Sequence, residues 1–480
     1  MLKSKFDLIF ILGALFLSVL ALLGPPPLQN LYLAAILILS IITIILHKQN
    51  RLSLTSFLAL LIIYTAPMEK LMWKIGFALR PVMLFSFAAF YIWGILSFKD
   101  GFKIEKKTQK LLILWFVLIL AFLLSGIFSI NPVKSMRVAI LHLTLFLILF
   151  LIVQFVKNRQ DLVKFTQHWM VIGFILCMYG LVEYWGSFIG FDIDRVVFGP
   201  IYSMTTPGQT VAQRLFGQRI YSLFGDPNNF AGFLNTVFPF FLCSAIYFAK
   251  LKQAKRFFWF LLATLTVFFV FIMTLSRSGW LGLSIGLLVV AWYKRAQIFR
   301  SANWKYFLVA LIVIVVFFAQ IYQYLYFIIS ARLEEMESRG IHLYLIKSAF
   351  SMFLSHPLTG VGIGNFGEAY GKYFKPGYEY YNAHSAFLTI LSETGIIGFI
   401  IYTSFYIFIF RQILLFFRNS SGYHKEVIGL GLLSGFCGLM AANIFYQNFT
   451  FQFFFVFLGL AFAAGIVASK ATSNGLDRQQ

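Results

Sequence analysis

"LLILWFVLILAFLLSGIFS" (residues 111–129) contains no charged residue from its first position to its last. About 20 such residues, rising 1.5 Å each in an α-helix, cross the hydrocarbon core of a bilayer. A helix on the surface of a soluble domain would keep a polar face, and this stretch has none. Directly before it runs "KDGFKIEKKTQK" (99–110), a lysine-rich segment of the kind retained on the cytoplasmic side of a span. The stretch is read as a membrane-spanning helix that enters the bilayer from the cytoplasm.

Working outward, the same pattern recurs near 6–24, 31–47, 52–67, 81–98, 137–156, 168–188, 229–249, 257–275, 280–293, 306–328, 386–410, 427–447 and 452–469. The chain is therefore expected to be an all-α, polytopic membrane helix bundle with about 12–14 spanning helices. The segments at 52–67 and 280–293 are short, so their backbone ends need shielding by neighbouring helices. Composition agrees, with 60% hydrophobic and only 12% charged residues.

A net charge of +22 would suggest nucleic acid in a soluble protein. Here "KLKQAKR" (250–256) and "YKRAQIFRSANWK" (293–305) fall on the same side as the N-terminus when the spans alternate. Charge thus sets orientation and contact with anionic lipid, with both termini cytoplasmic and no nucleic acid as partner. Cys177, Cys243 and Cys437 lie inside apolar spans, so neither a disulfide framework nor a zinc cluster is expected. The first 24 residues lack a convincing small-residue cleavage site and are read as a retained span.

Five regions follow: N-terminal spans (1–188), a first long outer loop (189–228), central spans (229–328), a large outer loop (329–385), and C-terminal spans with a cytoplasmic tail (386–480). Both long loops are rich in Gly, Tyr, Phe and Arg and are expected to fold. The apolar spacing of Ile341, Leu343, Leu345, Ile346, Phe350, Phe353 and Leu354 predicts an amphipathic surface helix, with a short acidic helix before it.

Four polar constellations interrupt the outer side. In "RIYSLFGDPNNFAGFL" (219–234), Asn228 or Asn229 is expected to cap a helix start, which offers free N–H groups to an anion beside Arg219. "TLSRSGWLG" (274–282) sets Arg277 in a short link between spans, with Gly279 permitting a tight turn. A guanidinium there is costly unless paired, snorkelling to lipid phosphate, or holding a phosphate or diphosphate. "HPLTGVGIGNF" (356–366) carries Gly360, Gly362 and Gly364 but no Lys-Ser/Thr, which argues against a nucleotide loop and leaves a loop brace or a ligand-side turn. "YYNAHSAFLTILSETGIIGFIIY" (380–402) places His384 at the mouth of a span, with Glu393 nine residues on and Gly395 and Gly398 for close packing. Histidine at such a place can accept a proton near neutral pH. No pair of histidines has metal-ligand spacing, so no metal is expected.

Together these blocks resemble the O-antigen ligase and O-antigen polymerase family of polytopic membrane glycosyltransferases, over roughly residues 210–400. The resemblance implies a fold akin to the C-type glycosyltransferases, with no metal and no cofactor. It implies that Arg219 and Arg277, with Arg339 at the head of the surface helix, hold the diphosphate of an undecaprenyl-diphosphate-linked oligosaccharide donor. It also implies His384 as general base on the acceptor hydroxyl, with Asn229, Glu393, Gly362, Gly364 and Asn382 in support. Many members carry a second polar Asn or His beside the histidine, where this chain has Ser385.

The leading expectation is a cell-envelope polysaccharide polymerase in the cytoplasmic (inner) membrane. It would join repeat units on the extracytoplasmic face into O-antigen, capsule, exopolysaccharide or teichuronic-type polymer, with a chain-length regulator as partner. The abundance of Phe, Lys and Ile points to an AT-rich genome and leans toward the last three polymers. A ligase transferring glycan to lipid A core or to protein would use the same donor. A lipid-linked glycan flippase is less favoured, because the polar residues gather at one face rather than at the midplane of paired repeats.

Overall fold

The computed structural model describes residues 54–74, 78–99, 104–198, 219–300, 336–373 and 383–473. The spans expected at 6–24 and 31–47 and at 306–328, the acidic helix before residue 336, and Asn382 lie outside the described residues.

The described chain is helical apart from a two-residue antiparallel ladder, Trp73–Lys74 (β1) with Ala78–Leu79 (β2). The helices are α1 (Leu54–Thr65), α2 (Pro81–Lys99), α3 (Lys106–Ile127), α4 (Pro132–Phe155), α5 (Arg159–Phe188), α6 (Ile193–Phe198), α7 (Pro227–Lys250), α8 (Ala254–Met273), α9 (Arg277–Arg300), α10 (Met336–Ser355), α11 (Phe366–Tyr373) and α12 (Ala386–Arg418). A π-helical turn (His424–Gly429) then leads into α13 (Leu430–Ala442), followed by α14 (Gln452–Ser473). Among the described residues, eight helices are long and apolar enough to cross a membrane: α3, α4, α5, α7, α8, α12, the π-turn with α13, and α14. The architecture is a polytopic membrane helix bundle.

Helix α14 is apolar all round and is buried all round, from Phe453 to Ala468. It packs on α4 and α12, and α7 forms a second centre against α8, α9 and α13. Where α9 crosses α13, a Cβ on Gly282 would lie 2.5 Å from the Gly438 carbonyl oxygen, and one on Gly438 would lie 2.7 Å from that of Gly282. These two glycines let the backbones touch, as small residues do in helix pairs within lipid. The outward face is also apolar: α3 exposes Ile113, Phe116, Leu120, Leu124 and Ile127, and α8 exposes Phe258, Leu262, Leu265 and Phe269. In water such stripes would drive aggregation, and in a bilayer they are solvated by lipid.

The helices alternate in direction, so the starts of α4, α7, α9, α12 and α14 gather at one end with the ends of α3, α5, α8 and α13. Among the described residues, two three-membered ion clusters tie the bundle. At the gathered end, Lys70 Nζ lies 2.5 Å from Asp194 Oδ2 and 3.1 Å from Glu183 Oε1, all three largely buried. Tyr179 Oη donates to Asp194 Oδ1 at 2.6 Å, and Ser222 N donates to Glu183 Oε2 at 2.9 Å. At the opposite end Glu426, in the π-turn, pairs with Lys250 of α7 and Lys294 of α9. Lys70→Ala would leave two carboxylates without their counter-charge. It is expected to destabilise the protein by roughly 3–5 kcal/mol, read as a lower melting temperature of detergent-purified protein.

Helix α10 forms where an amphipathic surface helix is expected. Its buried stripe is Leu345, Ser348, Ala349 and Met352, while Leu343, Phe350 and Leu354 are exposed. The small residues fit it closely to a secondary core with Val361, Phe366, Ala369, Tyr370 and Ala383. Size at the contact, rather than apolarity, chose the inward face.

Candidate functional site

Helix α7 starts at Pro227, with Asp226 rather than Asn228 or Asn229 as its cap: Asp226 Oδ1 accepts from Asn228 N at 2.6 Å. A proline at the first helical position needs no N–H partner, so the capping role falls on the residue before it. Asn228 is thereby free to accept from Arg219 Nη2 at 3.0 Å through Oδ1. Asn229 is buried and donates through Nδ2 to Glu69 Oε2 at 3.1 Å.

Arg219 also donates through Nε to the carbonyl of Thr274 at 2.7 Å. That carbonyl belongs to the α8–α9 link, three residues before Arg277, so the loop before α7 is fastened to the link carrying the second arginine. Arg277 is exposed at the first position of α9. The turn is made by Leu275, at φ 49°, and not by Gly279. Ser276 Oγ accepts from Gly279 N at 3.2 Å and caps α9, while Gly279 lies so close to Ala231 that a Cβ would meet it at 2.5 Å. That glycine serves helix packing.

His384 sits just before α12 with φ 48°, a left-handed backbone that a non-glycine residue holds only when its surroundings fix it. They do: Ser385 Oγ caps α12 at Leu388 N, and Ala386 N donates to the carbonyls of Asn443 and Tyr446 at 3.0 Å. The α13–α14 loop is thus tied to the mouth of α12. It brings the Tyr446 ring to 6.4 Å from the imidazole, centroid to centroid. Burial, with the negative charge of Asp226 adding to it, raises the Tyr446 pKa. Burial pulls the His384 pKa below 6.5, opposed by the negative charge of Asp226.

Arg219 and Asp226, linked through Asn228, and His384 with Tyr446 therefore come from three separate loops at the same end of the bundle. Behind them Glu69 is buried, and burial pushes its pKa up to about 7, with Arg80 opposing. Asp226, Tyr446 and Glu69 were not singled out from the sequence. The Asp-Pro pair was a legible helix-start signal for Asp226, whereas nothing local marks Tyr446 or Glu69.

Glu393 and the glycine loop form a brace. The Glu393 carboxylate accepts from Gly364 N at 2.8 Å and Phe366 N at 3.0 Å, and its carbonyl accepts from Gly362 N at 2.9 Å. Those amides are engaged by protein groups, which favours the brace of the two readings left open. Gly362 and Gly364 both have positive φ and press against Ser129 and Val138 of the α3–α4 corner. Arg339 lies in the first turns of α10, with its side chain outside the described residues. Among the described residues, no group of three His, Cys, Asp or Glu side chains could hold a metal.

A multi-pass helix bundle with a histidine and two arginines gathered at one end defines a membrane protein with a polar site at the edge of its apolar core. Residues 262–403, from α8 into α12, match the family model described as O-Antigen ligase. The match supports assigning the chain to the O-antigen ligase/polymerase family, and with it glycosyl transfer of that general type. No curated protein matches the chain.

Proposed function

We propose that this protein joins polysaccharide repeat units by transferring glycan from an undecaprenyl-diphosphate carrier, without a metal, on the extracytoplasmic face of the cytoplasmic membrane. The observation that carries the reading is His384, held in a left-handed backbone with the Tyr446 ring 6.4 Å from its own, at the end of the bundle that also holds Arg219 and Arg277. Lysines and arginines are concentrated at the opposite end, among them Lys106, Lys107, Lys110, Lys250, Lys252, Lys255 and Arg256. This favours a cytoplasmic location for that end and an outer one for the site.

In this reaction the acceptor hydroxyl oxygen attacks the anomeric carbon of the donor sugar. The bond from that carbon to the diphosphate oxygen breaks, and undecaprenyl diphosphate leaves with the electron pair. The hydroxyl proton passes to an imidazole nitrogen of His384. Burial lowers the basicity of the ring and keeps it neutral, hence able to accept, at neutral pH. Arg277, exposed at the head of α9, supplies a permanent positive charge for the leaving diphosphate, and guanidinium forks match its oxygens. Arg219 fixes the link that carries Arg277 and adds to the positive field, and Arg339, in the large loop, is assigned to the donor by the family resemblance.

The test is a transfer assay with purified protein in liposomes, undecaprenyl-diphosphate-linked repeat units as sole substrate, and EDTA present. Wild type is expected to build longer glycans still on the carrier. Arg277→Ala is expected to cut the rate by roughly 10²–10³-fold, the usual loss for one group that stabilises developing negative charge. No elongation by folded wild type would overturn the polymerase reading in favour of transfer to a different acceptor, such as lipid A core or protein.

A further inference from the structure

The loop between α1 and α2 is docked on the chain that carries Arg219. Lys70 N donates to the Leu223 carbonyl at 2.9 Å, and Lys70 Nζ lies 4.3 Å from the centre of the Tyr221 ring. Beside it, Glu69 Oε2 accepts from Asn229 Nδ2 at 3.1 Å and from Gly225 N at 3.4 Å. Glu69 and Asn229 are each only 4% exposed. Each also keeps one buried oxygen to which no protein group donates: Oε1 of Glu69 and Oδ1 of Asn229.

An ionised carboxylate only accepts, and so does the carbonyl end of an amide, so with Glu69 charged neither of these oxygens can satisfy the other. One proton changes that. A neutral carboxyl has an O–H donor and a C=O acceptor, the complement of the N–H donor and C=O acceptor of a primary amide, and two such planar groups close a ring with two hydrogen bonds. The bond from Asn229 Nδ2 to Glu69 Oε2 is one half of that ring, and the two oxygens without donors are the atoms of the other half.

We infer that Glu69 is a proton-binding site, a neutral carboxylic acid whose Oε1 hydroxyl donates to Asn229 Oδ1, and that this acid–amide pair latches the α1–α2 loop to the head of α7. The inference goes beyond the glycosyl-transfer reading and does not depend on it. The charges around the pair are divided. Arg80, at the end of the same loop, favours the ion, yet its Nη1 donates to Gln452 Oε1 at 2.6 Å, its Nε has no partner, and it makes no hydrogen bond to Glu69. Asp226, at the cap of α7, disfavours the ion. Lys70 is engaged by Glu183 of α5 and Asp194 of α6. Tyr446, from the α13–α14 loop, feels the Glu69 charge as one more reason to stay neutral. Burial outweighs these and pushes the Glu69 carboxyl up to about 7. Stability from such a group is complete below the unfolded value of 4.5 and is lost as the pH rises to about 7. The bond from Lys70 N to Leu223 persists, so ionisation weakens the latch without undocking the loop.

The decisive variant is Glu69→Gln, whose amide carries permanently the donor and the acceptor of the neutral acid. In full-length, detergent-purified protein it is expected to melt within about 1 °C of wild type near pH 5 and about 3 °C or more above it near pH 8. Infrared spectra of wild type near pH 5 are expected to contain a protonated-carboxyl C=O band that Glu69→Gln lacks. In Asn229→Ala, which removes the amide, that band is expected at higher frequency and the melting temperature is expected to fall at the same pH. A Glu69→Gln protein that does not fold, or that melts below wild type at both pH values, would show Glu69 acting as an ion against Arg80 and would overturn the inference. So would a wild-type spectrum near pH 5 that matches Glu69→Gln in the carboxyl region. Neither readout uses a glycan, so a wild type that transfers nothing would sink the glycosyl-transfer reading alone.

Discussion

Gly395→Ala is expected to abolish the accumulation of folded protein. Gly395 breaks α12 two residues past Glu393, with φ 63° and ψ −166°, a region of backbone space that is essentially reserved for glycine. A Cβ there would lie 2.4 Å from the Leu358 carbonyl carbon and oxygen and 2.6 Å from Thr359 N. These are backbone atoms, so no rotamer change relieves the clash. The loop in question is pinned on both sides of the break: Ile396 N donates to the Pro357 carbonyl at 2.8 Å, and Val361 N to that of Ser392 at 3.0 Å. Strain and overpacking together are expected to cost about 4 kcal/mol, and opening the seam would also strand the buried Glu393 carboxylate. Fluorescence-detected size-exclusion chromatography of a fusion protein would show an aggregated or absent peak. A monodisperse peak at wild-type yield would mean that the loop and helix can separate without penalty.

His384→Gln is expected to leave a folded protein with roughly 10²–10⁴-fold less transfer activity, the range over which a positioned general base contributes. Glutamine can keep a hydrogen bond to the acceptor hydroxyl but cannot take its proton. The pH dependence adds a sign. A base works when unprotonated, and burial holds the His384 pKa below 6.5. The wild-type rate is therefore expected to rise on the acid side, reach its plateau before pH 7, and stay level above it. The variant's residual rate should lack that limb. A His384→Gln protein with wild-type turnover and an unchanged pH profile would remove the histidine from the chemistry.

Some of the site was legible because its cost was legible. An arginine in a four-residue link between apolar spans, or a histidine at the mouth of one, is expensive in a bilayer and invites explanation at sight. Glycines were harder. Gly279 reads as a turn residue, yet Leu275 makes the turn and Gly279 makes room for Ala231. The sequence carries the absence of a side chain but not the reason for it. Asn228 and Asn229 were read as caps because their side chains suit that role, but the proline before them moved the cap back to Asp226.

The sequence by itself determined that the chain crosses a membrane many times, where most of those crossings lie, and that its unusual polar residues fall at one end, because apolar length and charge placement are local properties. Only the tertiary structure decided the partners. Asp226, His384 and Tyr446 are far apart along the chain, and each stands in a stretch that would be satisfied alone by a cap, a helix entry or a loop. They come to one end because α7, α12 and α14 start at the same end of one packed bundle, where hydrogen bonds unmade in lipid must be found across helices rather than along them, as Ala386 N does with the carbonyls of Asn443 and Tyr446.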